Sequence, residues 1–232
     1  MGGKIVQLVQ GREKALEYDN FSEWIERFAD FPLVQLIDLD AAIGSGTNCS
    51  LLQQFLDRLP CQVGGGIRSI EYARDILTLG ARRVILGSSL IRSGKIDIDF
   101  AKQVSTTLGA SKLVFAIDSK GGRVAVKGWR EVTSISPLEM IAALDAYCDA
   151  FLFTNVDTEG MMQGIPMELV RPLRTAASKQ LIVAGGISTS EEIEELHAIG
   201  VDAVVGMAVY TGKLDMRSLS SPRAARQSPE RT

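Results

Sequence analysis

Apolar residues in this chain gather into short unbroken runs, and the stretches between them carry apolar residues at helical spacing. The runs are LVQLIDLD (33–40), CQVGGGIRS (61–69), RRVILGSSL (82–90), KLVFAID (112–118), AFLFTNVDTEG (150–160), LIVAGGIS (181–188) and DAVVGMAVY (202–210). Runs of this length without polar alternation read as strands buried on both faces. Between them, Phe21, Trp24, Ile25 and Phe28 share one helical stripe. Further helices are expected at 51–59, 70–80, 137–147, 167–178 and 191–200. Strand, turn and helix in repeated succession, with short connections, mean a parallel sheet. The opening MGGKIVQLVQGRE reads instead as a Gly-led hairpin or loop strand.

Seven strands make an awkward count, and an internal repeat explains it. GGGIRS at Gly64 recurs as AGGIST at Ala184, 120 residues on; Gly87 pairs with Gly206 at 119, and Asp40 with Asp157 at 117. Two tandem four-strand halves would close an eight-stranded (β/α)8 TIM barrel, an α/β fold. Gly121 and Gly122 map back by 119 onto Gly2 and Gly3, which places the counterpart of Asp118 before residue 1. The expectation is therefore a barrel over 1–214, with half-repeats at about 1–96 and 97–214, that lacks its first strand. Such a barrel has two open strand edges unless the segment Lys4 to Gln10 slides in. Residues 215–232 are polar and rich in Ser, Arg and Pro, and read as a disordered tail.

Composition narrows the function. A formal charge of -3 argues against a nucleic-acid partner, and no apolar run approaches a membrane span. Three dispersed cysteines (Cys49, Cys61, Cys148) and one histidine, His197, within a helical pattern suit a cytoplasmic protein with buried thiols and no metal. No dinucleotide fingerprint is present.

Chemistry is expected at the C-terminal ends of the strands. Asp118 is a carboxylate at the tip of a buried strand; alone it could merely cap the following turn. Two pairs of Gly-rich turns stand at matched positions: Gly64, Gly65 and Gly66 with Gly87 and Ser88, and Gly185 and Gly186 with Gly206 and Ala208. Each can present backbone N–H groups to a phosphate, which implies a small ligand with a phosphate at each end. Asp118 and Thr154 lie between the pairs.

The strings GGGIRS, AIDSKGGRVAVKGW, TNVDTEG and AGGIST, with the Gly206 turn, resemble the histidine-biosynthesis isomerase family from Gly2 to about Leu214. GGRVAVKGW is the most specific of them and favours the isomerase over its cyclase sister. The resemblance implies a cofactor-free Amadori rearrangement of an aminoaldose to an aminoketose on a bisphosphorylated substrate, by a monomer. Asp118 then matches the general acid, and the partner base would precede Met1. Thr154 matches a threonine that supports the acid, and Trp129 an aromatic that stacks on substrate. Gly11 and Arg12 fall in a mobile first loop. Glu159 stands where the family has Asp and would position substrate through a longer side chain. Asp38 matches a strand-end acid that is either structural or catalytic, and Arg68 steadies the phosphate turn, pairs with Asp38, or simply starts a helix. The alternatives are the cyclase, an isomerase that also accepts phosphoribosylanthranilate, and an inactive phosphate-binding remnant.

Overall fold

The computed structural model describes residues 1–216; of the expected tail at 215–232, residues 217–232 lie outside the described residues. In chain order the elements are β1 (Ile5–Val9), β2 (Glu13–Tyr18), α1 (Phe21–Phe28), β3 (Val34–Ile37), α2 (Leu39–Ile43), α3 (Cys49–Leu56), β4 (Cys61–Gly64), α4 (Ile70–Thr78) and β5 (Arg83–Leu86). They continue with β6 (Ile91–Arg92), β7 (Lys95–Ile96), α5 (Ile98–Leu108), β8 (Leu113–Lys120), β9 (Arg123–Val126), β10 (Glu131–Val132) and α6 (Pro137–Leu144). The last are β11 (Ala150–Asn155), α7 (Met167–Ala176), β12 (Gln180–Ala184), α8 (Ser190–Ala198), β13 (Val201–Ala203) and α9 (Met207–Tyr210). The run expected to be strand as far as Tyr210 ends at Ala203; Gly206 then leads into a helical turn.

The parallel strands run in the order β13-β12-β11-β8-β5-β4-β3, curled in the manner of a (β/α)8 barrel. Among the described residues no strand pairs with the outer edge of β3 or of β13. The Lys4 to Gln10 segment does not fill that place: β1 pairs antiparallel with β2 in a separate two-stranded sheet. Aromatic rings bridge the two ends of the sheet instead. Tyr18 and Trp24 lie against Tyr210 with ring centroids 5.7 and 4.3 Å away, and the Tyr18 hydroxyl donates to the Tyr210 carbonyl at 3.2 Å.

Alternate strand residues go to opposite faces. Val114, Ala150, Leu152, Ile182 and Ile85 fill the inner face. Phe115, Phe151, Phe153, Leu181 and Val183 pack outward beneath the helices. Both faces are apolar, which is why the sequence shows runs rather than alternation. At the N-terminal ends of the strands the inner face is polar. Arg83 donates to Gln180 Oε1 (2.7 Å) and Gln62 Oε1 (2.8 Å), Gln62 to Gln35 (2.9 Å), and Gln180 to Asp202 (2.6 Å).

The repeat is visible in the backbone. Gly2 and Gly3 have φ of 55° and 72°; Gly121 and Gly122 have 55° and 73°. Gly87 and Gly206 share an unusual ψ of -94° and -92°. Ser69 and Thr189, the N-caps of α4 and α8, match to within a few degrees, and each accepts from the backbone N–H three residues on. Cys61 and Cys148 are buried, with burial pushing both thiols up to about 12. Cys49 is only half-buried, so the expectation of buried thiols holds for two of the three. Among the described residues no helix is long and apolar enough to cross a membrane.

Candidate active site at the barrel mouth

The period of two along β8 turns Asp118 to the inner face, and the parallel register sets Thr154 of β11 directly beside it. Thr154 and the Trp129 indole stand close enough to the Asp118 carboxyl to favour its anion. Enclosure by protein atoms dominates and raises the Asp118 pKa, while Trp129 and Thr154 pull it back. Glu159 stands in the turn after β11. Burial, with repulsion from Asp118 second, pushes its carboxyl up to about 7. That turn is pinned from outside: Gly121 N–H donates to Asp157 Oδ2 at 2.8 Å, and Gln10 donates from its side chain to the Asp157 carbonyl (2.9 Å) and from its backbone to the Glu159 carbonyl (3.0 Å).

Steric necessity explains the glycine turns. A Cβ on Gly65 would strike the backbone of Asp38, and one on Gly185 the backbone of Asn155, the same collision in each half. Both have positive φ, at 98° and 110°. The chain thus turns tightly over the end of the neighbouring strand, leaving room above the sheet. Asp38 is held differently from Asp118. It N-caps α2 and accepts from Asn48 N–H (2.7 Å), Asn48 Nδ2 (2.7 Å) and Ala41 N–H (3.2 Å), so its charge is consumed in structure. Arg68 donates to the carbonyls of Ala41 (3.3 Å) and Ala42 (2.7 Å), which steadies the turn beside Gly66.

Two hairpins meet over the site. From the first half, β1 and β2 join through Gln10 and Gly11, with φ of 48° and 67°. From the second, β9 and β10 join through Lys127, Gly128 and Trp129, with φ of 56°, 65° and 65°. The strings VQGR and VKGW behind these turns are counterparts that the longer repeats had hidden. The hairpins touch at their tips: a Cβ on Gly11 would lie 2.6 Å from the Trp129 ring. Ser88 Oγ accepts from Lys127 N–H at 2.9 Å, tying the second tip to the Gly87 turn.

One cavity of about 870 Å³ gathers Gly11, Gly65, Gly66, Arg68, Gly87, Ser88, Asp118, Trp129, Thr154, Glu159, Gly185, Gly186 and Gly206. It runs down to Arg83 and sideways along the edge of β3 past Phe28 and Phe55. Gly64 lies outside its wall, packed between Ile37 and Ile85. Ala208 is fully buried and also off the wall. Arg12 lines a smaller outer cavity of about 430 Å³ with Lys14, Trp129 and Arg130. Sequence reasoning missed the titration of Glu159, because its causes, burial first and the carboxyl of Asp118 second, arise only in the fold. It also missed the roles of Gln10 and the left-handed Lys127–Trp129 turn; the VQGR/VKGW match was the available signal.

Comparison with known proteins agrees with this geometry. A family model described as "Histidine biosynthesis protein" matches residues 1–215. An isomerase of Methanocaldococcus jannaschii is 37% identical over 221 residues, covering 92% of this chain and 92% of its own. It is named 1-(5-phosphoribosyl)-5-((5-phosphoribosylamino)methylideneamino)imidazole-4-carboxamide isomerase. Proteins of the same name from Methanococcus voltae and Methanosarcina mazei are each 35% identical, over 226 and 229 residues, with 93% of this chain and 91% of theirs covered. A barrel mouth with paired glycine turns and two facing carboxyls, matched along nearly its whole length, makes this chain a member of the histidine biosynthesis protein family.

Proposed function

We propose that this chain is an aldose–ketose isomerase that carries out an Amadori rearrangement on the substrate for which its relatives are named, a molecule with a phosphoribosyl group at each end. One observation carries the reading: a single cavity joins both sets of glycine turns, with Asp118 and Glu159 between them. The two anionic ends of the substrate sit at the turns of Gly65, Gly66, Gly87 and Ser88 and of Gly185, Gly186 and Gly206, where backbone N–H groups replace their water. The linear span between the turns brings the reacting ribose beneath the hairpins.

The chemistry needs a proton given to the ring oxygen as the C1–O bond breaks, and a proton taken from C2 to form the enolamine; protonation of that enolamine at C1 leaves the ketone at C2. Asp118 gives the first proton, as expected from the sequence. Enclosed carboxyls whose pKa values are raised and whose charges repel favour sharing a proton, so the pair can contain a donor and an acceptor at once. Glu159, ionised when Asp118 carries the proton, is therefore a second proton carrier rather than only a positioning group. Thr154 supports Asp118, Trp129 closes over the ribose, Gly11 and Arg12 belong to the covering hairpin, and Arg68 steadies the first phosphate turn. The monomeric, cytoplasmic state read from the sequence stays part of this proposal. Following the rearrangement of the named substrate by chromatography tests it: wild-type protein converts aldose to ketose, and Asp118→Asn does not. Turnover of phosphoribosylanthranilate alone, or none by the wild-type chain, overturns it.

A further inference from the structure

The tip of the β1–β2 hairpin rests on the turn that carries Glu159, and Gln10 makes the attachment. Its backbone N–H donates to the Glu159 carbonyl at 3.0 Å. Its side-chain amide donates to the Asp157 carbonyl at 2.9 Å and to Met161 Sδ at 3.4 Å. Gln10 and Asp157 stand 147 positions apart, one in each half of the repeat. Gly160 lets the two segments touch: a Cβ there would lie 2.5 Å from the Leu8 carbonyl oxygen and 2.8 Å from the Val9 Cα. Gln10 is itself left-handed, with φ of 48°, a conformation uncommon for residues other than glycine. Glycine fits that backbone with less strain and would give up both bonds of the amide.

We propose that Gln10 is a positioning residue for Glu159: it latches the first-half hairpin to the β11–α7 turn, and the latched hairpin keeps water from the Glu159 carboxyl where it faces the cavity. The catalytic consequence rests on the isomerase reading; the latch does not. Leu8 and Val9 lie against the residue next to Glu159, so the hairpin supplies part of the enclosure that raises its proton affinity. The surrounding charges are otherwise disposed. Asp118 on β8 repels the carboxylate, and Asp157 accepts from Gly121 N–H at 2.8 Å. Lys213 donates to Ser188 Oγ (3.0 Å) and the Met162 carbonyl (3.4 Å), and Arg12 lines the outer cavity. A group held in place before reaction has less freedom to lose on reaching the transition state. A proton carrier of the second half thus depends on a seat provided by the first.

The test follows the Glu159 titration by carboxyl 13C NMR of the substrate-free protein, with Glu159→Gln to assign the signal. Gln10→Met keeps the side-chain length and removes the donor. Gln10→Gly removes the side chain and relaxes the turn, and Gly160→Ala drives the two segments apart with Gln10 intact. Water reaching the carboxyl favours its anion, so the midpoint falls from about 7 towards 4.5 in all three variants. In turnover kcat falls about 10-fold, on the scale of one hydrogen bond, and its low-pH limb moves down with the midpoint. A midpoint unmoved in Gln10→Met and Gly160→Ala overturns the proposal. So does a midpoint that moves in Gln10→Met and returns in Gln10→Gly, because the turn and not the amide would then set it. An active enzyme whose kcat holds at the wild-type value while the midpoint falls overturns it as well. A wild-type chain without isomerase activity, whose midpoint still falls in the variants, refutes the proposed function and leaves the latch standing.

Discussion

The two hairpins over the barrel mouth share a turn and differ in what stands behind it. The second-half hairpin continues directly from β8, so the strand that carries Asp118 runs through Gly121 and Gly122 into β9. The first-half hairpin has the same pair of left-handed glycines and also a left-handed tip, yet β1 and β2 form a sheet of their own. The glycine pairs match to within a degree, whereas the tips differ, two residues being left-handed at Gln10 and Gly11 and three at Lys127, Gly128 and Trp129. The carboxylates also differ in what surrounds them. Asp38 follows β3 and Asp118 lies within β8, and both line the cavity, but Asp38 is saturated by Asn48 and Ala41, whereas only the uncharged Trp129 and Thr154 favour the anion of Asp118.

The sharpest way to break this contrast is to neutralise each carboxylate. Asp118→Asn should lower kcat/KM about 100- to 10,000-fold, the range of general acid catalysis, while unfolding barely earlier in denaturant. Asp38→Asn should do the reverse. An amide facing three donors costs about 1–3 kcal/mol of stability, measured by denaturant unfolding, and leaves the pH profile of turnover in place. Next comes Glu159, whose carboxyl ionises in the fold at about 7 against 4.5 ordinarily. A raised carboxyl pKa means the fold favours the neutral form, so stability is highest below the ordinary value and is lost as pH rises through 7. The melting temperature should drop by several degrees between about pH 5 and pH 8, and Glu159→Gln should flatten that slope. The smallest effect tests the hairpins themselves. Gly2→Ala and Gly121→Ala meet nothing within 4 Å, so each should lose only about 1 kcal/mol for the left-handed backbone, equally in the two halves. A much larger loss at Gly121 would show that β8 and its hairpin fold as one unit.

Much of this architecture was legible because it is written in repeats and runs. The strands announced themselves as apolar stretches, and GGGIRS with AGGIST aligned the halves before any coordinate was known. The end of the last strand was not legible: VVGMAVY is apolar throughout, yet the strand stops at Ala203 and Gly206 caps a helical turn. Asp118 and Thr154 could be nominated singly, but their adjacency is a matter of register between β8 and β11. Asp38 looked as chemical as Asp118, because a sequence shows the acid and not the three donors that occupy it.

Arg83, at the floor of the barrel, has a bearing on how such a molecule could have been doubled. Its guanidinium reaches back to Gln62 in the first half and forward to Gln180 in the second, with Asp149 3.5 Å away. A half expressed by itself would keep the cation and lose the acceptors across the seam, and the other half would keep the acceptors without their cation.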